Sequence, residues 1–143
     1  MNGYFIRATR VTPSIYFNPN KGIFDMRGKS SPENPVAFFN YALQSLDAYA
    51  SKGEKKLTAN MAFEYFNTSS SKCLFIFLKK LAQIDMMGKK VTVNWYFEEG
   101  DEDMKDAGED LRDMFDMEFN FIEIPEIKVL GEVQEAQQVT AQR

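Results

Sequence analysis

"LTANMAFEYFNTSSSKCLFIFLKKLAQIDMMGKK", residues 57 to 90, contains the change of periodicity on which the fold turns. Up to Asn67 the stretch is aromatic and alternates in places, as a buried strand does. From Lys72 onward the apolar residues recur at helical steps. On a wheel advancing about 100° per residue, Cys73, Phe77, Leu81 and Ile84 fall together, with Leu74 and Leu78 alongside. Lys72, Lys79 and Gln83 fall opposite, and Gly88 closes the helix. Between the two patterns stand four hydroxyls, Thr68, Ser69, Ser70 and Ser71. A strand running through a short polar turn into an amphipathic helix is half of a crossover unit. "VTVNWYFEE", residues 91 to 99, is β-branched and aromatic and supplies the strand to which that helix returns.

The same alternation extends both ways. Upstream, "SSPENPVAFFNYALQSLDAYASKG" predicts a helix: Asn34 is placed to cap it, Pro35 to open it, and Gly53 to end it. Before it, "SIYF" and "IFDMRG" flank the turn "NPNKG" and predict a hairpin, with Phe5 and Ile6 in a further short run. Downstream, "DEDMKDAGEDLRDMF" places Met104, Ala107, Leu111 and Phe115 at three- and four-residue steps, and its acidic first turn suits the positive end of a helix dipole. "EFNFIEI" is the last strand. The order is β-β-α-β-α-β-α-β. It predicts an α/β fold with a mixed, largely parallel sheet of about five strands, an N-terminal hairpin and three main helices. Residues 1–125 are read as one domain and residues 126–143 as a polar C-terminal tail outside the core.

Composition narrows the function. Hydrophobic residues make up 44% of 143, enough for one packed core. The net charge of −4 and the lack of a basic stripe argue against a nucleic-acid partner. The N-terminus lacks the apolar core of a signal peptide, and no run is long enough to span a membrane, so a cytoplasmic protein without a membrane partner is expected. The single cysteine, Cys73, sits in an apolar run and is read as a buried thiol.

There is no histidine, which removes the commonest general base and zinc ligand. Glycine-rich phosphate loops are absent as well. "DEDMKDAGEDLR" fails as a calcium loop, because Asp106 stands where glycine is obligatory and Arg112 where the bidentate glutamate belongs. No catalytic residue, metal or cofactor is expected. A Ser or Thr nucleophile activated by Lys72 is the enzyme alternative, and the lack of histidine weighs against it.

The hydroxyl cluster admits two readings. The first-turn N–H groups of a helix lack internal partners and carry partial positive charge. Asn67, Thr68, Ser69, Ser70, Ser71 and Lys72 bring no anion to that turn, so it suits a phosphate carried on one of its own hydroxyls. The plainer reading is that Thr68 or Ser69 only caps the helix. Ile76 on the polar side, with Phe75, Met86 and Met87 at its borders, is similarly open: either a wide helix buries its flanks, or these residues form an apolar partner surface beside the hydroxyls.

The strand, Ser/Thr motif and helix in this order are similar to the STAS domain of anti-sigma-factor antagonists. More closely, "YFNTSSSK" together with "GKSSPENP" and "VNWYFEEGDEDM" resembles the SiaC family of bacterial regulatory phosphoproteins, from the first strand to about Ile124. The resemblance implies a STAS-like fold and a non-enzymatic, partner-switching role. It implies phosphorylation on the threonine of "NTSS", here Thr68, by a dedicated protein kinase, and reversal by a PP2C-type phosphatase. The unphosphorylated form would bind and activate a diguanylate cyclase or similar effector, controlling cyclic-di-GMP, aggregation and biofilm formation. Asn67, Ser69, Ser70 and Lys72 carry over as motif neighbours, and Glu33 and Asn34 as more distant ones. With Ser71, Phe75 and Ile76 they make the expected partner surface. A small-molecule or lipid-binding STAS-like domain is the alternative; a cavity among Phe38, Phe63, Phe77 and Trp95 would favour it.

Overall fold

Six strands and three helices follow one another in a computed structural model that describes residues 2–52 and 54–131. β1 (Tyr4–Ile6), β2 (Ser14–Asn18) and β3 (Ile23–Ser30) form an antiparallel meander. Next come α1 (Pro35–Lys52), β4 (Lys56–Phe66), α2 (Thr68–Met86), β5 (Lys90–Glu98), α3 (Glu102–Asp113) and β6 (Glu118–Ile124). The strands lie in chain order from β1 to β6, and β3 through β6 are parallel. This is the expected mixed sheet. The run around Phe5 is a strand in its own right, so the sheet has six strands where about five were expected. Gly53, the expected end of the first helix, lies outside the described residues.

Parallel strands added in one direction through right-handed crossovers bring successive helices to the same face. One core cluster accordingly joins Phe39, Leu46 and Tyr49 of α1, Leu74, Phe77 and Leu81 of α2, and Met104 of α3. The row Met26, Met61, Trp95 and Phe121 crosses the sheet in register beneath them. One residue over, strand alternation turns Asp25, Asn60, Asn94 and Asn120 to the other face, again in register. There Asn120 Nδ2 donates to Asn94 Oδ1 at 3.2 Å and Asn94 Nδ2 to Asn60 Oδ1 at 3.0 Å. Buried Asp25 accepts from Arg27 Nε at 2.7 Å. Among the described residues, the face opposite the three helices is thus tied by side-chain hydrogen bonds where the helix-covered face is packed with rings.

Two glycines let backbones approach closely. Gly22, at φ 67° in the β2–β3 turn, lies where a Cβ would strike Lys56 O. Gly108 of α3 rests directly on the Trp95 indole, whose Nε1 donates to Met104 O at 3.0 Å.

The chain does not leave the domain at residue 125 as expected. Ile127 N–H donates to Glu98 Oε2 at 2.9 Å, and Ile127 and Leu130 are only 3% and 5% exposed. The polar average of the tail conceals these two apolar residues, and burying them holds 126–131 on the sheet. The rest of the tail, residues 132–143, lies outside the described residues. Among the described residues no helix is long and apolar enough to cross a membrane.

Candidate functional site

The hydroxyl cluster stands where β4 gives way to α2. Asn67 is the cap: its backbone is extended (φ −83°, ψ 175°) and its Oδ1 accepts from Ser70 N–H at 2.8 Å. The reading in which Thr68 or Ser69 only caps the helix is therefore corrected, because the acceptor role belongs to the residue before them. Thr68 becomes the first helical residue, and both Thr68 and Ser69 are exposed. Ser71 Oγ donates to Thr68 O at 2.7 Å, a local bond within the first turn. No acidic residue lies in that turn. Lys72 is exposed one helical turn beyond Thr68, on the same side of α2.

Ser70 departs from expectation. It was placed on the partner surface, yet it is 1% exposed. Helical phase decides this: Ser70 precedes Cys73, Leu74 and Phe77 by three, four and seven residues and so shares their buried face. Its Oγ accepts from Ser30 Oγ at 2.8 Å, and Ser30 is likewise buried. Ser30 O in turn accepts from Asn67 N–H at 3.0 Å. The end of β3 is thereby fastened to the first turn of α2, which brings the 31–34 loop beside the cluster. Glu33 and Asn34 in that loop are exposed, and Asn34 Oδ1 caps α1 by accepting from Ala37 N–H at 3.2 Å.

The flank of α2 stays open. Phe75 is 37% and Ile76 51% exposed, and Met86 and Met87 are 84% and 65% exposed, so the helix does not bury its borders. Phe75 packs on Phe115, with ring centroids 5.3 Å apart. Ser71, Lys72, Phe75, Ile76, Leu111 and Met114 line a shallow groove of about 460 Å³ between α2 and the end of α3. Sequence reasoning missed Leu111 and Met114 as part of this surface. The sequence offered only an apolar Met114 set between Asp113 and Phe115, and the structure leaves that side chain 60% exposed.

The rest of the chemistry is quiet. Burial pushes the Cys73 thiol up from its ordinary pKa, away from the reactive thiolate. Asp101 Oδ1 accepts from Met104 N–H at 3.1 Å and caps α3, so the acidic loop serves a helix start. Phe63, Phe77 and Trp95, three of the residues that would line a carrier cavity, are at most 1% exposed. They pack ring to ring, Phe63 on Trp95 at 6.0 Å and Phe77 on Phe24 at 5.1 Å.

Comparison with known proteins agrees with this geometry. An uncharacterized protein of Pseudomonas aeruginosa (strain UCBPP-PA14) is 27% identical over 113 residues, covering 79% of this chain and 90% of that one. The crystal structure of apo-SiaC from Pseudomonas aeruginosa superposes with a TM-score of 0.79 at 24% identity, over 85% of this chain and 99% of that one. The SiaC chain in the crystal structure of diguanylate cyclase SiaD in complex with its activator SiaC, from the same organism, gives 0.80 at 25% identity, over 85% and 99%. The family model for SiaC family regulatory phosphoproteins matches residues 6–124, which run from β1 to the end of β6. With its sheet, its helix order and its Ser/Thr turn all inside that match, the chain belongs to the SiaC family of regulatory phosphoproteins.

Proposed function

We propose that this protein is a non-enzymatic, cytoplasmic switch whose state is set at Thr68. A protein kinase phosphorylates Thr68 and a PP2C-type phosphatase restores it. The unphosphorylated form binds and activates an effector, a diguanylate cyclase, and so controls cyclic-di-GMP and biofilm formation. One observation carries this reading: Thr68 is exposed, its hydroxyl is free of the capping role that Asn67 fills, and it opens the helix that presents Phe75 and Ile76 to solvent. The contact surface consists of Asn67, Ser69, Ser71, Lys72, Phe75 and Ile76 with Glu33 and Asn34, and Ser70 supports it from below.

The physics favours a change in binding over a change in fold. A phosphate adds about −1.5 to −2 charges. The α2 N-terminus favours an anion by about 0.3–1 kcal/mol at an exposed site, which leaves the domain folded. A partner packed over Phe75 and Ile76 would have to desolvate that dianion. A penalty of even ~3 kcal/mol weakens affinity more than a hundredfold. The test is a titration of a SiaC-responsive diguanylate cyclase with unmodified protein, protein phosphorylated at Thr68, Thr68→Ala and Thr68→Asp. Unmodified protein and Thr68→Ala should bind and activate, the phosphorylated form should not, and Thr68→Asp should bind weakly because it carries less charge. Equal binding by the folded phosphorylated and unmodified proteins would sink the proposal.

A further inference from the structure

The hydrogen bonds beneath Thr68 close on themselves. Ser30 O accepts from Asn67 N–H, Asn67 Oδ1 accepts from Ser70 N–H, and Ser70 Oγ accepts from Ser30 Oγ, at 3.0, 2.8 and 2.8 Å. Two members of this ring, Ser30 and Ser70, are 0% and 1% exposed, so no solvent competes for the bond between them. Thr68 lies inside the Asn67–Ser70 span of the ring. On its far side the ring continues directly into the 31–34 loop. Ser31 N–H donates to Val11 O at 2.8 Å, so this loop is held at its start by two anchors, one on α2 and one on the β1–β2 connection. A charge placed on Thr68 acts on the first-turn N–H groups and on the Asn67 cap, and any adjustment there moves Ser30 with it.

We infer that Ser30 and Ser70 are positioning residues of the switch: their buried hydroxyl pair couples the state of Thr68 to the loop that carries Glu33 and Asn34. The partner surface then spans two segments more than thirty residues apart in sequence, and phosphorylation alters both. The inference rests on Thr68 being the modified residue. A hydroxyl pair with only a structural role would affect melting alone, and the two roles separate in the double variant. Removing one partner leaves the other buried and unsatisfied, whereas replacing both by apolar groups is nearly neutral for stability. Ser30→Ala/Ser70→Ala should therefore melt closer to the parent than either single variant does, and yet stay more weakly coupled than the parent.

The experiment is amide hydrogen exchange, read by mass spectrometry over residues 29–37, on full-length protein with and without phosphothreonine incorporated at position 68. In the parent, phosphorylation should change exchange in this segment about fivefold, the low end of ordinary coupling between sites. In Ser30→Ala, in Ser70→Ala and in the re-stabilised double variant the change should fall well below the parent's, with only the Asn67 N–H bond to Ser30 O left to carry it. A response in the double variant as large as the parent's, or no response in the parent, overturns the inference. The same samples titrated against the cyclase test the switch separately: loss of binding on phosphorylation without a response in 29–37 leaves the Thr68 switch standing and removes only the role of Ser30 and Ser70.

Discussion

Replacing Gly108 by alanine sets two ordinary effects against each other. Alanine in a helix interior is favoured over glycine by about 1 kcal/mol. At this position, however, a Cβ would lie 2.4 Å from Trp95 Nε1 and 2.5 Å from Trp95 Cδ1. Carbon contacts sit at about 3.5–4.0 Å, so α3 or the indole must move by about 1 Å. The ring cannot yield cheaply, because Trp95 is 0% exposed and packs on Phe63 and Phe119. Overpacking of this kind costs about 1–3 kcal/mol. Displacement also strains the Trp95 Nε1 bond to Met104 O, and a buried donor left without a partner costs about 1–3 kcal/mol more. Even the low ends together exceed the propensity gain, so Gly108→Ala should destabilise by at least about 1 kcal/mol and centrally by about 3 kcal/mol. For a chain of this size that lowers Tm by about 10 °C. Thermal and urea unfolding followed by the fluorescence of Trp95, the single tryptophan, measures it. In a Trp95→Phe background the cost should shrink, since the nearest clashing atom, the indole Nε1, and its bond to Met104 O are gone. A Gly108→Ala protein as stable as the parent, or more so, would refute the claim that α3 is seated by contact between helix backbone and indole. The result bears on the site too, because α3 carries Leu111 to the groove beside Ile76.

Asn67→Ala removes the cap of α2 and should cost about 1 kcal/mol, whereas Asn67→Asp keeps the acceptor at a favourable helix end and should melt no lower than the parent. An unchanged melt for Asn67→Ala would show that the cap contributes nothing. Cys73 should react slowly with an alkylating reagent in the native protein and rapidly in denaturant, since burial both shields the thiol and raises its pKa; equal rates in the two states would contradict that placement. Stability should also fall at high pH. Burial is the main cause that pushes Tyr49 up to about 12 from 10.0, with Glu54 adding to it, and burial does the same for Tyr4 against the opposing Ser45 hydrogen bond. Because the folded values lie above the unfolded ones, this contribution is complete below pH 10 and is lost as pH rises toward about 12. The urea midpoint should decline across that window and decline less in Tyr49→Phe; a flat profile for the parent would count against the burial of these phenols.

Much of this architecture is written in local periodicity. The apolar, aromatic run of 57–67 marks a strand buried on both faces from Ala59 to Phe63, the helical stripe from Cys73 to Ile84 marks a helix with one buried face, and short-range spacing reports both. The place of Thr68 at the strand-to-helix junction was likewise readable, whereas the helical wheel put Ile76 on the polar side without deciding between a buried flank and an open surface, and only the structure leaves it uncovered. The sequence alone left open whether Thr68 capped its helix or was free of that duty. Two extended dihedrals at Asn67 decided it, and backbone angles are set by how β4 enters the helix. Ser70 looks like its neighbours in a run of three serines, and only its phase and its bond to Ser30, forty residues away, take it into the interior. The groove at Phe75 exists because α3 ends alongside α2, and Ile127 and Leu130 are buried because the sheet offers them a place. Each of these facts pairs residues far apart in the chain. Local propensity carries no record of such pairs; they arise only when the crossovers bring strand ends and helix starts to the same edge of the sheet.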